Sequence, residues 1–236
     1  MAGTTEGGAM TEAEWRRCRN SRIMLTLIKG LASKRKQRLF ACACCRRIWQ
    51  LIPDPRSRAA VVASEAFADK LIDREALAGA QREAMLGQKR FDEYVYPAAN
   101  AAASTARISV QPLWIAVLGT WAVGKESARV IATTPKRLAK RENVQEIEAA
   151  AQAEILRCLV GPVAFRLMTF SPVWLTPTAV GLAHAIYEDC AFDRLPILAD
   201  ALQDAGCEDA DILAHCRGDG PHARGCWVVD GVLGKG

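Results

Sequence analysis

The sequence predicts an all-α protein, a compact multi-helix domain open to stacked helix pairs, on three observations. Apolar residues recur at helical spacing along almost the whole chain. Aromatics are scarce at 6% and alanine is abundant, so the core is built from small side chains that suit close helix packing. Only one short apolar run, Leu113 to Leu118, reads as a strand. With 50% hydrophobic and 24% charged residues the composition is globular, which excludes wholesale disorder.

The elements follow in order. Residues 1–10, MAGTTEGGAM, lack the charged and apolar regions of a secretory signal and read as a disordered tail, leaving 11–236 as a single helical domain. Thr11 with Glu14 three residues later forms a capping box for a first helix to about Cys18. A second helix runs from Ser21 to Leu31. Ser33 caps a longer one to about Ile52, stopped by the PDP at 53–55. Arg56 to Leu71 is amphipathic, and Asp73 starts another helix towards Gly87. An alanine-rich stretch at about 75–150 forms the middle, in which YPAANAAAS fits helix or extended chain. Glu142 to Val160 is helical. Thr176 then caps a helix with Pro177 at its first position, followed by helices at 193–205 and 208–216. CWVVDGVL closes the chain as a short helix or strand.

No run of about 18 uncharged apolar residues exists, so no membrane span is expected. Nine cysteines in a chain without an export signal imply free thiols and a cytoplasmic location. The charge is polarised. Trp15 to Arg58 holds thirteen Lys or Arg and one acid, whereas His184 to Gly236 holds ten acids and four bases. This implies either an anionic partner or contact between the chain's own ends.

LFACACCRR, residues 39–47, concentrates three of the cysteines. On a helical wheel Phe40, Ala41, Cys44, Cys45, Ile48, Leu51 and Ile52 share one face of about 140°. Cys44 and Cys45 therefore read as small core hydrophobes. Cys42 falls on the opposite face among Arg35, Arg38 and Arg46, which favour a thiolate, and is the candidate reactive thiol. Truncating Phe40 or Cys44 should destabilise the fold, and truncating Cys42 should barely do so. The basic residues Lys34, Arg35, Lys36, Arg38, Arg46 and Arg47 form a candidate polyanion face. GTWAVGKE at 119–126 approximates a phosphate loop but places Glu126 where Ser or Thr should bind magnesium, and it reads as a loop or helix junction.

Cys207, His215, Cys216, His222 and Cys226 lie within twenty residues. Their types permit a zinc site, but no pair has the C-x2-C spacing, and Cys207 and Cys226 occupy packing positions. No nucleophile elbow or H-E-x-x-H is present, and no catalytic residue or cofactor is expected beyond a zinc ion.

The blocks MTEAEW and KRKQRLFACACCRRIW, with AFDRLPILADALQDAGC and PHARGCWVVDGVLGK near the other end, resemble a family of uncharacterised bacterial proteins. The resemblance implies no activity, and it implies that the two ends form one folded unit around the variable middle. The expected function is a non-enzymatic interaction or adaptor module with a protein partner. The alternatives are a nucleic-acid binder through 34–47 and a metal-binding protein through 207–226.

The charge polarity yields a direct test. Internal pairing of the ends predicts a melting temperature that falls modestly with salt, and little RNA or DNA binding at low salt. Tight low-salt binding that collapses as salt rises would instead assign the basic face to a polyanion.

Overall fold

The computed structural model describes residues 10–28, 30–88, 96–109, 115, 119, 122 and 144–235. Eleven α-helices and no strand occur among them. They are α1 (Glu12–Arg17), α2 (Ser21–Ile28), α3 (Lys34–Arg47), α4 (Pro55–Ala68), α5 (Arg74–Gln88) and α6 (Tyr96–Thr105). After these come α7 (Val144–Val160), α8 (Pro177–Asp189), α9 (Leu195–Asp204), α10 (Ala210–Arg217) and α11 (Trp227–Leu233). Among the described residues no helix is long and apolar enough to cross a membrane.

Helix starts follow their capping chemistry. The Thr11 hydroxyl accepts from the Glu14 backbone at 3.3 Å, and the Glu14 carboxylate accepts from the Thr11 backbone at 2.8 Å. Ser33, Asp54, Thr176 and Asp209 accept in the same way from the first turns of α3, α4, α8 and α10. Helix ends follow the sequence less closely. The run expected from Ser33 to Ile52 leaves α geometry at Arg47 and tightens into a 3-10 turn over Trp49–Leu51. Arg58 holds that turn, donating to the Ile52 and Trp49 carbonyls at 2.6 and 3.2 Å. Of the expected strand and the phosphate-loop look-alike, Ile115, Gly119 and Ala122 are helical, and the remainder lies outside the described residues.

Helix α3 is the central element. It packs against α4 and α6 on one side and α7 on the other. An interior helix of this kind has no polar face, and every residue from Arg38 to Cys45 is buried. The alanine-rich stretch 96–105 forms α6. Ala98, Ala101 and Ala102 are fully buried there, and their small side chains let the backbones of α3 and α6 approach.

The wheel expectation for Cys42 is corrected here. The residue is 1% exposed and its thiol points to the Val61 carbonyl of α4 at 3.8 Å. Burial pushes the thiol up to about 12, with Glu65 adding to the rise and Arg38 and Arg46 only partly opposing it. It is a packed neutral thiol rather than a reactive one.

Three apolar clusters occur among the described residues. The first joins α1, α2, α3 and α7 with part of α4 and α6, and the second joins α8 to α11. The third lies between α4, α5 and α6. Helix α7 serves two of them, giving Ile155, Leu156, Leu159 and Val160 to the first and Cys158 to the second.

A buried ion cluster ties the N-terminal helices to the C-terminal ones. Arg35 of α3 donates to Asp230 of α11 at 2.6 Å, to Asp69 beyond α4 at 3.0 Å and to the Tyr187 hydroxyl of α8 at 2.6 Å. The Tyr187 hydroxyl donates to Asp69 at 2.7 Å, and Arg224 reaches the other Asp69 oxygen at 3.2 Å. Lys36 pairs with Asp230 at 2.5 Å. Burial opposes charge on Arg35, but the hydrogen bond and charge of Asp230 outweigh it and raise its pKa. Burial and the Asp69 carboxylate raise that of Tyr187, which keeps the phenol neutral and donating.

Removing one partner from such a cluster leaves a desolvated charge unpaired. Asp69→Ala should therefore cost about 3 to 5 kcal/mol in a denaturant titration. Cys42→Ala should lower the melting temperature about as much as Cys44→Ala; a wild-type value for Cys42→Ala alone would return that residue to a surface.

Candidate metal centre

Four side chains converge where α7, α10, the following loop and the start of α11 meet. Cys158 lies two residues before the end of α7. Gly161 turns the chain there at a positive φ of 57°, and a Cβ at that position would come within 2.6 Å of the Trp227 ring. Only glycine lets α7 end flush against α11. His215 sits in the last turn of α10, whose N-terminus is fixed by the Asp209 carboxylate accepting from Asp211 and Ile212 at 3.0 Å each. His222 belongs to the loop after α10. Cys226 opens α11, after Gly225 passes between Leu39 and Leu159 at a φ of 90°.

The candidate ligand atoms of Cys158, His215, His222 and Cys226 all lie within 4.8 Å of one another. His215 Nε2 is 3.2 Å from Cys226 Sγ, and His222 Nδ1 is 3.6 Å from Cys158 Sγ. A tetrahedral zinc ion, with Zn–S of about 2.3 Å and Zn–N of about 2.0 Å, separates nitrogen and sulfur ligands by about 3.5 Å. The observed edges match that size. The imidazoles meet edge to face, with centroids 4.9 Å apart, so each directs a nitrogen inward without stacking on the other. The second nitrogen of His222 faces the Gly218 carbonyl at 3.4 Å, the kind of outer contact that fixes a ligating imidazole. The two cysteines are buried and the two histidines half-buried.

The electrostatics favour a thiolate. Burial works against ionisation of Cys226, but hydrogen bonds from Cys158, His215 and His222 carry its pKa well below the ordinary thiol value. Cys158 moves the opposite way, through burial and then its contact with Cys226.

The structure thus brings together His215, His222 and Cys226 and adds Cys158, which local spacing could not supply. Cys207 and Cys216 are buried at 0% and 1% exposure in the cluster formed by α8 to α11, and burial is the first cause of the raised pKa of each. They act as packing residues. The only signal for Cys158 in the sequence is a thiol near the end of a helix, just before a Gly-Pro break.

The candidate polyanion residues are mostly engaged within the fold. Arg35 and Lys36 belong to the buried ion cluster. Arg38 donates to the Thr105 and Ile108 carbonyls at 2.7 and 2.8 Å, neutralising the C-terminal end of α6, and lies 4.9 Å over the Phe67 ring. Arg46 pairs with Glu65 at 2.6 Å and Arg47 with Glu148 at 2.9 Å, both on half-exposed side chains. Lys34 is exposed. The basic segment meets the acidic C-terminal third through Arg35 and Lys36 on Asp230 and Arg16 on Asp211, while its other acids are Glu12 of α1, Asp54 before α4, Glu65 of α4, Asp69 after it and Glu148 of α7.

Comparison with protein families, curated proteins and solved structures found no match to the chain.

The burial pattern predicts the thiol chemistry. Under native conditions a thiol reagent should label Cys190, which is exposed, and then Cys18, which is half-buried. The remaining cysteines should react only on unfolding. Rapid native labelling of Cys42, followed by peptide mass spectrometry, would contradict its placement between α3 and α4.

Proposed function

We infer that this protein is a non-enzymatic helical module stabilised by one structural zinc ion, held by Cys158, His215, His222 and Cys226. The observation that carries this reading is the convergence of four ligand atoms of zinc-preferring type within 4.8 Å, three from one C-terminal segment and one from α7. Two thiolates and two imidazoles favour zinc over the oxygen-seeking magnesium and calcium. Four protein ligands complete a tetrahedron and leave no open position for substrate, which is the arrangement of structural rather than catalytic zinc.

The ion would act on a stretch without regular structure. The segment between α10 and α11 contains GDGPHARG, with little apolar area of its own to bury. A metal bond from His222 to Cys158 would fasten this loop to α7 directly. Two negative sulfurs and two neutral imidazoles around a dication leave the site neutral overall, which suits its burial. Metal affinity should fall as pH falls, because protons compete for both imidazoles and both sulfurs.

The test is metal analysis of protein purified under reducing conditions. One zinc per chain is expected, with loss of zinc and a lower melting temperature after strong chelation. Cobalt substitution should give the intense visible spectrum of a tetrahedral thiolate site. Cys226→Ser and His222→Ala should remove stoichiometric metal, whereas Cys207→Ala and Cys216→Ala should keep it. A chain that takes up neither zinc nor cobalt while fully folded would end this reading.

A further inference from the structure

We propose that a pocket between α3, α7 and α11, separate from the Cys/His centre, binds a small amphipathic carboxylate, a medium-chain fatty acid in chemical class. The pocket has a volume of about 300 Å³, at the small end of the range for ligand sites. Its walls are apolar, formed by Leu159, Val160, Met168, Phe170 and Trp227, with half-exposed Val163 at the mouth. One end is polar, formed by Lys36, Asp230 and Lys235. A largely apolar, half-open pocket whose charges are grouped together selects a ligand with an alkyl body and one charged head.

The sign of that head follows from the buried ion cluster. Arg35, Lys36, Arg224 and Lys235 gather around Asp69, Asp230 and the neutral Tyr187 hydroxyl. Four cations thus face two carboxylates. Asp69 is occupied by Arg35, Arg224 and the Tyr187 hydroxyl, and Asp230 by Arg35 and Lys36. Lys235 rests on the Tyr187 ring with its ammonium 3.8 Å from the centroid, and no carboxylate pairs with it among the described residues. The N–H groups that do not face the ring are left available to an incoming acceptor. A carboxylate placed at this end meets Lys235 directly and reduces the excess of positive charge, while its chain lies along Trp227 and Phe170. An amine head would add a fifth cation, and an uncharged alcohol would leave the excess in place.

The pocket is tested with octanoate, octanol and acetate, by calorimetric titration of the full chain. Octanoate should bind at least about tenfold more tightly than octanol or acetate, the margin of one charge-assisted hydrogen bond. Lys235→Met should lose about tenfold in octanoate affinity and leave octanol unchanged. Val163→Trp, at a position already half exposed, should fill the mouth and abolish octanoate binding without lowering the melting temperature. The assignment is overturned if octanoate does not bind, if octanol binds as well as octanoate, or if Lys235→Met keeps full octanoate affinity. Zinc content plays no part in these readouts, so they stand or fall independently of the Cys/His centre.

Discussion

The fold depends on charge kept out of water. Arg35 joins three parts of the chain, through Asp69 after α4, Tyr187 in α8 and Asp230 in α11, and its side chain is only 12% exposed. A guanidinium in that position has a high desolvation cost, which only several well-placed acceptors offset. The cluster supplies them from residues far apart in sequence, so no part of it can form correctly without the others. Apolar packing between α3 and its neighbours could tolerate small slides. The planar fork of Arg35, engaged with two carboxylates and a phenol, fixes one arrangement.

The Cys/His centre lies beside this cluster, and the two share a backbone support. Lys36, already on Asp230, also donates to the Gly225 carbonyl at 2.6 Å. That carbonyl immediately precedes Cys226. One turn on, the Asp230 backbone donates to the Cys226 carbonyl at 2.8 Å. The first turn of α11 is therefore held on one side by ion pairs and on the other by the residues that converge on the sulfur. The positive φ at Gly161 and Gly225 allows this, since each brings backbone against a large apolar side chain where a Cβ would collide.

Much of this was legible in the residues. Thr11 with Glu14, Ser33, and Thr176 with Pro177 announce their helices because capping is local chemistry, complete within four positions. The all-helical class followed from periodicity, and CWVVDGVL resolved as helix once α7 and α8 were present to cover it. The error over Cys42 has a definite origin. A wheel assumes one buried and one wet face, and α3 is covered on both. Of the arginines that seemed to mark a polar face, Arg35 and Arg38 turn inward to Asp230 and to the end of α6, and only Arg46 stays half-exposed, on Glu65. Cys158 was beyond reach for a related reason. Three members of the Cys/His set occupy one C-terminal segment, while the fourth arrives on α7, the helix shared by both cores, and only the tertiary fold relates them.

The span of the Arg35 contacts bears on how this chain is made. Arg35 and Asp230 are 195 residues apart in sequence. During synthesis from the N-terminus, α3 emerges long before the carboxylate that completes its ion cluster. Until then the nascent chain carries a cationic, cysteine-rich helix whose Arg35 and Lys36 still lack Asp230. Closing so long a loop is entropically slow, and the intermediate exposes apolar surface meanwhile. A ribosome that stalls before α11 would leave a product with Arg35 and Lys36 deprived of Asp230 and the α8 to α11 cluster incomplete, a ready target for chaperones and proteases.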